Sequence, residues 1–195
     1  MIDYRYLLYL KWNLIVIETL WPTHIYKSNI NDTSYVNELF TYFLETDTDY
    51  DAYGYSSGRI QTSIIQIDPL FNRLGNFITE CVSTYTNEVF KAKSQLYTKV
   101  SFSRSLEMNS HYHHEAVISG AFYINALSGA LALHDPRSTA NRGFPLDFQH
   151  YFESHIWMPS AGDIIIFPSY LSHEVPYDSD MKAPRFVMPF DSYSV

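Results

Sequence analysis

The chain has 195 residues, 46% hydrophobic and 17% charged, the profile of one globular domain long enough to bury a real core. Its 13 Lys and Arg against 21 Asp and Glu give a formal charge of −8, which argues against a surface built to neutralise phosphates or anionic lipid and so against a stable nucleic-acid partner. A single cysteine, Cys81, excludes an internal disulfide, a zinc finger and any Cys-x-x-Cys knuckle, and suits a reducing compartment.

The N-terminal stretch MIDYRYLLYLKWNLIVIETLW is apolar, but Arg5, Lys11 and Glu18 interrupt it below the roughly 18 uncharged residues of a membrane span, and no small-residue cleavage site follows. The expectation is a cytoplasmic protein without a membrane partner, with 14–17 as a short buried strand. From 34 to 46, Val36, Leu39, Phe40, Phe43 and Leu44 form a helical stripe that Thr33 or Ser34 can cap. Asp68-Pro69 opens a second helix that carries Leu70, Leu74, Phe77, Ile78, Cys81 and Tyr85 on one side, with Cys81 as a packed small hydrophobe.

Beyond Lys93 the texture changes to short β-branched and aromatic runs broken by Gly, Pro, Asn and Asp. Leu96, Thr98, Val100 and Phe102 alternate with polar neighbours. Further strands are expected at 117–125, 130–134, 155–158, 163–167 and 185–190, with turns at Ser128-Gly129, Asp135-Pro136 and Ala161-Gly162. This spacing predicts a mainly β sandwich or barrel, with 138–152 as a long loop over one face. Nothing divides the chain, so 1–195 reads as a single domain in which 1–93 supports a β core at 94–195.

Some motifs fail on context. Gly54-x-Ser56-x-Gly58 has the spacing of a hydrolase elbow, but polar 47–51 precedes it and the strand-like 61–67 follows it. His114-Glu115 cannot open a helical zinc-protease motif because Ile118 stands where the second histidine belongs. His113-x-Glu115 cannot open a deaminase site, which needs a cysteine pair. Asn31-Asp32-Thr33 matches a glycosylation acceptor, a pattern that chance supplies often.

The densest set of metal-capable side chains is His111-Tyr112-His113-His114-Glu115, just before an apolar strand. In an extended chain His111, His113 and Glu115 share one face, so three ligands could line one cavity; a polar loop with surface histidines is the plainer alternative. A second signal lies about sixty residues on. There the apolar run Ile164-Ile165-Ile166-Phe167 ends in a proline turn and delivers His173, and Arg185 then opens the final apolar strand. An arginine there is costly unless its guanidinium meets an anion, as a bidentate carboxylate would provide.

The His-rich segment, Ile118-Ser119-Gly120-Ala121-Phe122-Tyr123-Ile124, His134-Asp135-Pro136-Arg137, the 162–173 segment and Arg185 together resemble the 2-oxoglutarate and Fe(II)-dependent oxygenases. More narrowly they are similar to a group of bacterial and phage members of that superfamily, over roughly 95–191. The resemblance implies a double-stranded β-helix, a cupin-like jelly roll, with N-terminal helices packed outside. It implies one Fe(II) held by a proximal pair and a distal histidine, with 2-oxoglutarate as small-molecule cosubstrate and O2 as oxidant. It makes His173 the distal ligand, Arg185 the grip on the far carboxylate of 2-oxoglutarate, and Tyr123 its helper.

For the proximal pair, His113 and Glu115 satisfy the rule of two histidines and one carboxylate. The narrower group's His-x-His pattern maps instead onto His111 and His113 and gives three histidines. Asp135 and Arg137 are either a substrate-contacting pair at the barrel mouth or a turn whose side chains pair with each other. His24, His150 and His155 carry no spacing argument and read as structural or surface residues. The resemblance implies an oxygenase that hydroxylates an unidentified substrate with release of succinate and CO2.

Two other readings stay open. One is a cupin-like metalloprotein, an isomerase or cosubstrate-free dioxygenase, which would leave Arg185 without its carboxylate. The other is a non-enzymatic barrel that binds a partner, for which substituting His113 or His173 would be harmless. Substrate and oligomeric state stay open too, a homodimer included. Ile-, Asn- and Tyr-rich usage is compatible with a phage, whose protein would work in a host cytoplasm, or with an AT-rich bacterium.

Overall fold

The run Ile164-Ile165-Ile166-Phe167 is apolar without alternation, which suits a strand covered on both faces. In the structure, a computed structural model that describes residues 22–46, 69–91, 96–100, 103–105, 107–125, 129–137, 153–177 and 185–195, the run forms β8 (Asp163–Pro168). The other strands are β1 (Tyr26–Asn29), β2 (Leu96–Val100), β3 (Ser103–Ser105), β4 (Met108–His111), β5 (Ile118–Tyr123), β6 (Leu131–Leu133), β7 (His155–Trp157), β9 (His173–Val175) and β10 (Arg185–Ser194). The helices are α1 (Thr33–Thr46) and α2 (Pro69–Tyr85), and a π turn (Thr86–Phe90) continues α2.

A major sheet runs β1-β8-β5-β10-β2, with β3 also on β10, and a minor sheet runs β4-β9-β6-β7. The strand pairs are antiparallel. Alternation along β8 assigns its two faces. Ile164 and Ile166 join Phe122, Phe186 and Met188 under the helices, while Ile165 and Phe167 join Tyr123, Leu131, Leu133 and Val187 between the sheets. Leu39 and Phe43 of α1 and Leu74 and Ile78 of α2 complete the helix-side core. Phe40 meets Phe186 edge-on at 5.3 Å and Phe77 meets Phe122 at 6.1 Å. Each fully buried apolar side chain here contributes about 1.5–3 kcal/mol. A Cβ at Gly120 would collide with the Ile165 carbonyl and the Phe190 ring, so this position admits only glycine without a shift.

This is the mainly β, two-sheet architecture expected, with the helices on the outside. β5, β6 and β7 form within the expected ranges, β8 reaches one residue further to Pro168, β10 runs on to Ser194 and β2 forms from Leu96; β1, β3, β4 and β9 were not foreseen. The cap of α1 differs from the expectation. Asp32, not Thr33 or Ser34, accepts the Tyr35 N–H at 3.0 Å, Ser34 donates to the same carboxylate, and Arg73 pairs with it at 2.6 Å. Cys81 packs as expected and takes a 3.7 Å hydrogen bond from Tyr26. The expected strands at 14–17 and 61–67, the 54–58 motif, the 138–152 loop and His150 lie outside the described residues. Among those described, no helix is long and apolar enough to cross a membrane.

Candidate active site

Register in the minor sheet brings the histidines together. His111 on β4 stands opposite His173 on β9, and strands pair about 4.8 Å apart. His113 lies just past the end of β4, where its N–H donates to the Ser169 carbonyl at 3.0 Å. The ring centroids are 4.3 Å apart for His111 and His173, 5.1 Å for His111 and His113 and 5.2 Å for His113 and His173. One ligand nitrogen from each lies within 4.8 Å of the others.

Each ring is held by its outer nitrogen. His111 Nδ1 donates to the Asn109 carbonyl at 2.8 Å, and His173 Nδ1 to the Leu171 carbonyl at 2.9 Å. His113 Nδ1 lies 2.8 Å from Asp191 Oδ2, and Asp191 Oδ1 accepts from Ser119 Oγ at 2.5 Å. Burial pushes the Asp191 carboxyl up, but the bonds from His113 and Ser119 outweigh it and hold it below the ordinary value, so Asp191 is an ionised acceptor. With Nδ1 donating in all three rings, Nε2 carries the lone pair that faces the cluster. Burial brings His173 down to about 4, against the pull of the Leu171 carbonyl, which keeps it neutral at physiological pH. Three imidazoles whose Nδ1 atoms are engaged fit a divalent transition metal, and the outer partners are of the kind that orient metal-bound histidines.

Glu115 is placed elsewhere. It is exposed, with φ 68°, so the alternation that would align it with His113 breaks in a turn. His114 is exposed and meets the Tyr112 ring edge-on at 4.7 Å. Arg185 is only 4% exposed. Its guanidinium carbon lies 5.7 Å from the Tyr123 ring centroid and Nη1 lies 3.5 Å from the Ala130 carbonyl, while Nε is buried without a partner among the described residues. Burial lowers the Arg185 pKa and pushes Tyr123 up to about 12. Such an orphaned cationic donor fits a carboxylate ligand.

Asp135 and Arg137 pair with each other through both carboxylate oxygens, at 2.9 and 2.6 Å. The His24 carbonyl accepts from Tyr85, and His155 lines a cavity beside the histidines together with His134. Asp191 and Ser119 are the residues that sequence reasoning missed. Their only trace was polarity on strands otherwise bound for the core.

Residues 99–191 match the family model described as "Putative 2OG-Fe(II) oxygenase". Over that stretch the chain is similar to the 2OG-Fe(II) oxygenases. Among solved structures, a prolyl-4-hydroxylase of Pseudomonas putida aligns over 88% of this chain and 92% of its own, with a TM-score of 0.63 at 13% identity. HygX from Streptomyces hygroscopicus, solved with nickel, 2-oxoglutarate and hygromycin B bound, aligns over 88% of this chain and 83% of its own, with a TM-score of 0.60 at 10% identity. At these identities the likeness is one of fold, the double-stranded β-helix. No curated protein matches the sequence. Within this barrel, β10 carries Asp191 beside the histidines and Arg185 towards the other end of the interior.

Proposed function

We propose that the chain is an Fe(II)- and 2-oxoglutarate-dependent dioxygenase that hydroxylates its substrate, releasing succinate and CO2, in the cytoplasm. His111, His113 and His173 hold the metal, Arg185 with Tyr123 binds the far carboxylate of 2-oxoglutarate, and the Asp135–Arg137 pair forms a fixed wall at the mouth. The observation that carries this reading is the convergence of three imidazoles whose Nδ1 atoms are all engaged, with a buried guanidinium in the same interior whose Nε has no partner among the described residues. When bound, the metal supplies oxidative decarboxylation of the cosubstrate by O2 and oxidation of a substrate C–H bond. The protein's own part is to fix three imidazole nitrogens, supply one buried cation and exclude water. Because imidazoles bring no charge, the anionic cosubstrate offsets the metal's, and Glu115 has no part in the site.

The test is anaerobic titration of 2-oxoglutarate into Fe(II)-loaded protein, following the visible charge-transfer band of the chelate. The band is expected to vanish in His111→Ala and His173→Ala, to need more 2-oxoglutarate in Arg185→Ala, and to persist in Glu115→Ala. A band lost in Glu115→Ala and kept in His111→Ala would return the carboxylate to the site. Metal binding without a band would favour a metalloprotein that uses no 2-oxoglutarate.

A further inference from the structure

The minor sheet continues the histidine row beyond the cluster. His111 stands opposite His173, His173 opposite Leu133, and Leu133 opposite His155. At about 4.8 Å per strand, the backbone of His155 lies about 10 Å from that of His173. Trp157, two residues along β7, packs with the interior cluster of Leu131 and Leu133, so His155 projects from the same face of the sheet. A cavity of about 390 Å³ lies against this row. Leu133 and Leu171 give it an apolar wall, and the Leu171 carbonyl is the one that orients His173.

The polar lining sets what the cavity selects. Arg137 is committed to Asp135 through both carboxylate oxygens, so that pair adds no net charge. Glu153 also lines the cavity; it is exposed and forms no ion pair among the described residues. Behind His134, the Glu174 carboxylate lies 3.6 Å from Nε2, which has no hydrogen-bond partner among the described residues. Among the charged residues that line the cavity, the one left without an ion pair is therefore negative, as is the chain as a whole.

We infer that this cavity is the substrate pocket and that it selects a compact group bearing a protonated amine, with Glu153 as counter-ion and His155 as hydrogen-bond partner, an inference that rests on the oxygenase reading of the adjoining histidines. Phosphorylated and carboxylated substrates are disfavoured by the same lining. The ammonium can come from a free amino compound or from a lysine side chain, and the two are separable by experiment.

Ligand-observed NMR titration of the metal-free protein tests this, with glucosamine against glucose and glucose 6-phosphate, and Nα-acetyl-lysine methylamide against its Nε-acetylated counterpart. In at least one series the amine is expected to bind about five- to tenfold more tightly than its neutral or anionic relative, the range of one charge-assisted contact near solvent. Which series shows the preference distinguishes a free amine from a side chain. Glu153→Gln should abolish the preference, His155→Ala should weaken amine binding, and Glu88→Gln, an exposed carboxylate on the π turn, should change nothing. Equal binding of the neutral or phosphorylated probe, no saturable amine binding, or a preference that survives Glu153→Gln would overturn the inference. Since neither metal nor 2-oxoglutarate is present, a chelate band without amine preference sinks the pocket assignment alone. An amine preference without a band sinks the oxygenase reading alone.

Discussion

The two ends of the barrel interior treat buried polarity in opposite ways. At the histidine mouth each Nδ1 has an acceptor, from Asn109, Asp191 or Leu171, and Asp191 is itself held by Ser119. Towards the other end Arg185 is buried with Nε unpartnered among the described residues, beside the face of Tyr123 and one distant carbonyl. The first arrangement is complete without a ligand and so holds its geometry in the apo protein. The second leaves an uncompensated cation in a low-dielectric setting, a cost of several kcal/mol that only an incoming anion offsets. Preorganisation thus sits where a metal would bind, and stored electrostatic demand sits where a carboxylate would.

The contrast breaks most sharply if removing one imidazole is tolerated. His173→Ala removes one of three converging nitrogens and should weaken Fe(II) or Co(II) binding by more than about 100-fold, since losing even an outer partner typically costs 10–100-fold. Competition against a chromophoric chelator measures it, and a change of only a few-fold would mean that the cluster is not the metal site. Arg185→Met probes the other end. The affinity for 2-oxoglutarate should drop about 10- to 150-fold, as loss of a charge-assisted bond of about 1.5–3 kcal/mol implies. The apo melting temperature should hold or rise, because an apolar side chain of similar length replaces a buried unpaired cation. A clear fall in melting temperature would show that the guanidinium is already satisfied and that the contrast is false.

Asp191→Asn sharpens the comparison from within the mouth. The amide keeps the shape and one acceptor but loses the charge that favours donation from His113 Nδ1, so metal affinity should fall about 10- to 100-fold while 2-oxoglutarate binding to whatever metal-loaded fraction remains is little altered. Isothermal titration of each ligand separates the two effects. Equal losses for both would assign Asp191 to general stability.

What was legible in the sequence was the part governed by local period. The continuous apolar run of β8, the delivery of His173 after a proline turn, and the stripes of α1 and α2 follow from which faces must be covered, and they form as expected, except that Leu44 at the end of the α1 stripe is exposed. His111 and His113 were legible as same-face neighbours. Glu115 seemed to share that face only because extended alternation was carried two residues too far, and a positive φ at a glutamate has no sequence signature. Asp191 and Ser119 stand 72 residues apart and meet only through the β5–β10 register, and His155 joins the histidine row through two ladders of the minor sheet. Such pairings depend on register across distant strands, which no local period encodes.

The smallest expected effect is a pH dependence specific to the mouth. In the metal-free fold His173 titrates at about 4 because burial penalises its charged form, whereas in the unfolded chain a histidine titrates near 6.5. Above about 6.5 both states are neutral there and His173 adds no pH dependence. Between about 6.5 and 4 the unfolded chain takes up a proton that the folded imidazole refuses, so stability falls as the pH falls, and below that window the contribution is constant. Asp191, held below the ordinary carboxylate value, acts in the more acidic range where the unfolded carboxyl takes up its proton, so it does not mimic this slope. Urea midpoints of the metal-free protein at pH 7, 6 and 5 should therefore decline more steeply than those of His173→Asn. Parallel declines would mean that the buried imidazole is not the titrating group, and the mouth would then owe its neutrality to something other than its burial.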